Sequence, residues 1–173
     1  MPDHATAMLL HATVIGTGAT LVMDAWAIVR KRLLGVPALN YGLVGRWLAW
    51  LPRGRFHHHA IAATHPVRGE QAIGWIAHYL TGIAFAGILL GLWGLDWARQ
   101  PTLAPALIVG IGSVAAPFLL MQPAMGAGIA ASRTPQPYVA RMHSLVTHAV
   151  FGMGLYGAGW LARLIADPNW SLA

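Results

Sequence analysis

The chain has 173 residues, 57% of them apolar and only 9% charged, with a formal net charge of +6 and no cysteine. So few polar residues cannot cover a soluble domain of this length, and the missing thiols exclude disulfides, thiolate metal sites and cysteine nucleophiles. The basic balance does not point to nucleic acid, because the cations lie between apolar blocks and form no continuous basic face.

The first apolar block, Met8 to Val29, has no basic region ahead of it and is followed by Arg30, Lys31 and Arg32. That polarity is the reverse of a cleavable leader, so a true transmembrane span is expected. Along it Thr13, Thr17, Thr20 and Asp24 recur at helical spacing, giving one small, hydroxylated face that ends in a carboxylate. A long basic connection over residues 30–72 follows. Within it Tyr41 to Leu51 reads YGLVGRWLAWL, too short to span and rich in tryptophan, which predicts a short interfacial helix. Farther on, His57, His58 and His59, with His65 and Glu70 nearby, lack the i, i+4 spacing of a helical zinc pair and read as a weakly basic loop.

Three more blocks reach spanning length at ~1.5 Å per residue against roughly 30 Å of hydrocarbon. They are Ile73 to Leu95, Leu103 to Met125 and Leu145 to Ile165. Pro105, Pro117 and Pro123 all fall in the third span, which is therefore expected to be kinked or partly unwound. The reading is one all-α, polytopic membrane domain of four transmembrane helices, with the lipid bilayer as its first partner. Four helices of this length enclose little space, so a homodimer is also expected.

Nine of the eleven cations fall in the two connections that follow the first and third spans, leaving only Arg99 and Arg163 on the other side. By the positive-inside rule those connections are cytoplasmic and both termini periplasmic, in a bacterial inner membrane. Tryptophan agrees, with Trp26 and Trp75 at the inner interface and Trp93, Trp97 and Trp160 at the outer one.

The spans also match in pairs. Gly16-Thr17-Gly18-Ala19 corresponds to Gly110-Ile111-Gly112-Ser113, and Leu21-Val22-Met23-Asp24 to Leu119-Leu120-Met121-Gln122. His78 to Gly82 corresponds to His148 to Gly152, and Val44-Gly45-Arg46 to Val139-Ala140-Arg141. The order is preserved, which suggests a 2+2 parallel internal repeat.

With this topology Asp24, His78, Gln122 and His148 lie at one depth, one on each span. A carboxylate in hydrocarbon costs several kcal/mol unless it is paired, protonated or beside water. Asp24 therefore needs a partner, which His78, His148 or Arg46 would supply. Small-residue stripes such as Gly87 to Gly91 read as packing seams and not as conduits. No phosphate-binding glycine loop, serine triad or metalloprotease helix motif is present, so an enzyme is not expected.

Several stretches together resemble a family of small bacterial membrane proteins catalogued as domain of unknown function 2938. They are GTGATLVMDAW at 16–26, YGLVGRW at 41–47, GRFHHHAI at 54–61, VRGEQAIGWIAHY at 67–79, QPAMGAGIAASRTPQP at 122–137 and HAVFGMGLYGAG at 148–159. The resemblance implies a polytopic membrane protein, with Asp24, Arg46, His58, Glu70, His78, Gln122 and His148 as its polar positions. It implies no activity.

The function expected is a proton-coupled translocator of a cation or small solute, or the membrane component of one, with Asp24, His78, Gln122, His148 and Arg46 as the binding set. One alternative is a redox protein holding haem b between His78 and His148, and the metal candidates are His58, His78 and His148. Another is a non-catalytic accessory subunit of a membrane complex.

Overall fold

In the computed structural model, which describes residues 3–166, the helices form where the apolar blocks lie, and the first, second and fourth overrun their blocks at both ends. Helix α1 spans His4–Leu34. It begins at Asp3, whose carboxylate accepts the Thr6 amide at 2.7 Å, and ends at Gly35, whose positive φ of 65° closes the last turn onto the Lys31 carbonyl. Helix α2 is Tyr41–Trp50, α3 is Glu70–Arg99, α4 is Leu103–Gly112 and α6 is Pro137–Ala166, with the single turn α5, Gln122–Ala124, before it. A 31-residue helix rises about 46 Å, more than the hydrocarbon thickness, so the ends of α1 reach past the apolar layer.

The third span is irregular, as its prolines predict. Beyond α4 the chain passes through a turn and then a π-helical stretch, Ala116–Met121, before α5. Pro117 has no N–H to donate, and the Gln122 amide reaches five residues back to the Pro117 carbonyl. Four stretches are long and apolar enough to cross a membrane: His4–Leu34, Glu70–Arg99, Leu103–Ala124 and Pro137–Ile165. Only about a quarter of each is buried within the protein, and side chains such as Leu21, Leu80, Leu92, Leu119 and Leu161 point outward, as lipid-facing residues do.

Helix α1 sits between α3 and α6, α4 packs on the far side of α6, and α2 lies against α3. Glycines set these crossings. A Cβ on Gly16 would come within 2.5 Å of the Ile83 Cα, and one on Gly110 would run into the Gly152 backbone. Gly16 and Gly110, and Gly82 and Gly152, are corresponding positions of the sequence repeat, so the same close approach is built twice, once in α1/α3 and once in α4/α6. A third approach joins α2 to α3, where Gly45 meets the Glu70 carbonyl and Gly74 meets that of Tyr41. The core between the helices comprises Ile15, Ala19, Leu89, Leu90, Phe151 and Leu155.

The connection expected to be a solvated basic loop is anchored. His58 is buried, its amide donates to the Ala124 carbonyl at 2.7 Å, and its Nδ1 lies 3.0 Å from the Thr64 hydroxyl. With Ile61 N bonded to Met125 O, this segment seals the broken end of the third span, while His57, His59 and His65 stay exposed. The sequence Ile-Ala-Ala then forms a 3-10 turn twice, at Ile61–Ala63 ahead of α3 and at Ile129–Ala131 ahead of α6. Each turn is held by an arginine. Arg46 donates to the carbonyls of Ile61, Ala62 and Thr64, and Arg141 Nε donates to that of Ala130 at 2.8 Å. The pairing of Arg46 with Arg141 in the repeat thus corresponds to a shared task, although Arg46 stands before its turn on the separate helix α2 and Arg141 after its turn on α6.

Candidate functional site

Asp24 meets His78 directly, with His78 Nε2 3.0 Å from Asp24 Oδ1. The Tyr79 hydroxyl donates to Oδ2 at 2.9 Å, and the Tyr41 hydroxyl lies 2.9 Å from the same His78 nitrogen. Both side chains of the pair are largely withdrawn from solvent, at 12% exposure for His78 and 17% for Asp24. Around the imidazole stand the rings of Tyr41 at 4.3 Å, Tyr79 at 5.6 Å and Trp75 at 5.9 Å between centroids. These rings pack around the imidazole, and the carboxylate and imidazole stand within hydrogen-bond distance of one another. Burial, and then the Asp24 charge, push the Tyr41 phenol up from its ordinary value, which keeps it a proton donor.

Local structure explains this gathering. Gly82 lies one turn beyond His78 and lets α3 approach α1, where the Thr20 hydroxyl, bonded to the Gly16 carbonyl, occupies the space a side chain at Gly82 would take. Asp24 is one turn beyond Thr20 and so falls beside His78. The Asn40 side chain accepts the Gly42 amide and starts α2, and the Gly45/Gly74 approach then carries Tyr41 onto the imidazole.

His148 holds the corresponding place in the second half but has a different partner. Its Nδ1 lies 2.7 Å from the Ser113 hydroxyl, which also bonds the Gly110 carbonyl. Gln122 is hydrogen-bonded to neither Asp24 nor His148, and its buried Oε1 has no hydrogen-bond partner. Arg46 stands apart from this cluster. Its guanidinium forms a two-pronged pair with Glu70 at 2.8 Å on each arm, and those bonds hold it above its ordinary pKa. Glu70 Oε2 also accepts the Val67 amide, so the pair fixes the start of α3. The hydroxyl stripe of α1 splits as well. Thr13 faces outward with its hydroxyl on the Leu9 carbonyl, and only Thr20 is buried.

A cavity of about 340 Å³ opens between α1, α2, α3, the third span and α6. It exists because α3 and α4 follow one another through the turn at 100–102 but make little further contact. His78, His148, Thr20, Ser113 and Tyr41 give it polar points, and the rest of its wall is mostly apolar, with Trp47, Phe85 and Phe151 among the lining residues. A second, wider space of about 960 Å³ lies toward the loop at 35–40 and is lined by Arg30, Gln122, His143 and Ser144 among others. The two spaces share Met23, Leu39, Tyr41, Pro117, Met121 and His148 as a common wall. Tyr41, Tyr79 and Ser113 were not singled out from sequence. The one signal for Tyr79 was its place beside His78 on α3.

His78 Nε2 is shared between Asp24 and Tyr41 and His148 Nδ1 is engaged by Ser113, so the nitrogens without these partners are His78 Nδ1 and His148 Nε2, one on each candidate haem ligand. No group of three or more metal-ligating side chains occurs among the described residues.

Four spanning helices around an internal cavity, with a carboxylate–imidazole pair at its edge, define a multi-pass membrane protein with a buried polar site. The chain belongs to the family described as a protein of unknown function (DUF2938), which matches residues 13–162. No curated protein and no solved structure gives a significant match.

Proposed function

We propose that this protein is a carrier in a bacterial plasma membrane, with both termini outside, that binds a small organic solute in the cavity and couples its passage to a proton held by Asp24 and His78. The observation that carries the reading is the contact of His78 with both sides: Nε2 lies on the Asp24 carboxylate while the ring forms part of the cavity wall. A solute entering beside the imidazole changes the electrostatic cost of its charge, and the proton shifts or leaves in response. The irregular third span supplies a mobile wall. Pro117 and the π-helical stretch line the cavity, and their weakened ladder bends at smaller cost than a regular helix does.

The test uses liposomes loaded with a pH-sensitive dye and a panel of amino-, carboxyl- and hydroxyl-bearing hydrocarbons, with protein-free vesicles as the baseline. The wild type should move protons with at least one of these solutes, and Asp24→Asn should lose that flux while still folding and inserting. Equal proton flux in the variant, or none above baseline in the wild type for any probe, removes the reading.

A further inference from the structure

The wider space next to the cavity carries an unbalanced charge. Arg30 lies on its wall, on the α1 face shared with Met23 and Ala27. Its NH1 donates to the Thr147 hydroxyl at 3.2 Å, its NH2 makes a long bond to the Pro37 carbonyl, and its buried Nε has no partner. No Asp or Glu lines this space, and Arg30 forms no ion pair among the described residues. Asp24, six residues earlier on α1, is turned toward His78 and Tyr79. A half-buried guanidinium without a counter-ion is unfavourable by itself, and an anion that completes its hydrogen bonds relieves that cost. The rest of the wall is mostly apolar, with Asn40, Gln122, Gln136 and Ser144 among its polar members.

Next to this space is the more strongly apolar cavity, with which it shares Tyr41, Met121 and His148 as lining residues. A mainly apolar space with one cationic point, adjoining a second apolar chamber, fits a ligand with an anionic head and a hydrocarbon tail. We infer that the two spaces form a single site for an anionic amphiphile, with a carboxylate or phosphate head on Arg30 and a hydrocarbon tail among Trp47, Phe85 and Phe151. This inference rests on the carrier reading for the use of the site, and it names the substrate class. The shared chemistry belongs both to free single-chain acids or phosphate esters and to anionic phospholipids of the surrounding leaflet.

The experiment is equilibrium binding of radiolabelled dodecanoate and dodecyl phosphate to the purified full chain in a neutral detergent. Both should bind, and dodecanol and dodecyltrimethylammonium should compete at least about tenfold less well, the discrimination expected of one charge-assisted hydrogen-bond set. Arg30→Gln should weaken both anions by about tenfold or more, and Arg30→Lys should recover most of the loss. Ala77→Phe, which fills the apolar chamber away from Arg30, should abolish dodecanoate binding and spare hexanoate. Arg30→Gln binding dodecanoate as the wild type does, or dodecanol competing equally, overturns the inference. If Arg30→Gln fails to fold, the Ala77→Phe chain-length readout decides instead, and retained dodecanoate binding overturns the site. Displacement of dodecanoate in nanodiscs of phosphatidylglycerol but not phosphatidylcholine identifies a bilayer lipid as the occupant, and indifference to both identifies a free amphiphile. Proton flux with other solutes but no dodecanoate binding sinks only the ligand assignment. Dodecanoate binding with undiminished flux in Asp24→Asn sinks only the proton-coupling reading.

Discussion

The α1/α3 half and the α4/α6 half are closed by the same device, two glycines that bring helix backbones together, yet they equip the space beside that crossing differently. In the first half a carboxylate stands on the histidine, and in the second a hydroxyl does. The cause is visible in the chain. Asp24 comes eight residues after Gly16, but its counterpart Gln122 comes twelve after Gly110, and the added residues fall around the turn and π-helical stretch of the third span. With that insertion His148 is hydrogen-bonded to Ser113, next to the crossing, and not to Gln122. A repeated scaffold therefore produces one half able to hold charge and one neutral half. The cavity lies where these two unlike walls face each other.

The arginine clamps offer the largest contrast between the halves. Arg46 holds its 3-10 turn through three carbonyls and pairs with Glu70 in a place where its own side chain is 10% exposed, whereas Arg141 makes one bond to its turn. Arg46→Ala leaves a carboxylate without its partner and should cost about 3 kcal/mol, against about 1 kcal/mol for Arg141→Ala. Thermal unfolding in mild detergent micelles measures both, and equal losses would show that the two clamps do the same work.

The glycine crossings should behave alike. Gly16→Ala and Gly110→Ala each place a methyl group against backbone of the facing helix, and overpacking of this kind costs about 1–3 kcal/mol. Matching drops in unfolding midpoint are expected. A large loss in one half with none in the other would break the structural repeat.

Smallest are the single hydroxyls. Tyr79→Phe removes a bond to a carboxylate and should cost about 2 kcal/mol, and Ser113→Ala, which removes a neutral contact to His148, about 1 kcal/mol. The same unfolding assay orders them. Proton flux sharpens the comparison further, because Tyr79→Phe should alter it and Ser113→Ala should leave the proton-holding pair intact.

Much of the fold was legible because hydrocarbon imposes a length rule on apolar blocks. All four spans, the short tryptophan-rich helix and the broken third span follow from block length and from three prolines in one span. The candidate site was only partly legible. A buried carboxylate demands a partner, and His78 is one of the three that the sequence offered for Asp24. Arg46 was another and is instead engaged by Glu70, eight residues before His78 on α3, because the α2/α3 glycine approach delivers it there. His58 read as part of a solvated histidine run, and its burial depends on backbone bonds to Ala124 and Met125 that no local pattern encodes.

The sequence by itself determined that the chain is a membrane protein of four helices with polar groups inside, since the energetics of burying backbone and charge in hydrocarbon act on composition and spacing alone. Tertiary structure decided which of those polar groups meet, because contact between α1, α2 and α3 depends on where glycines let backbones close. It also decided that a cavity exists at all. A space between helices is the contact that α3 and α4 do not make, and no residue in the sequence carries that signal.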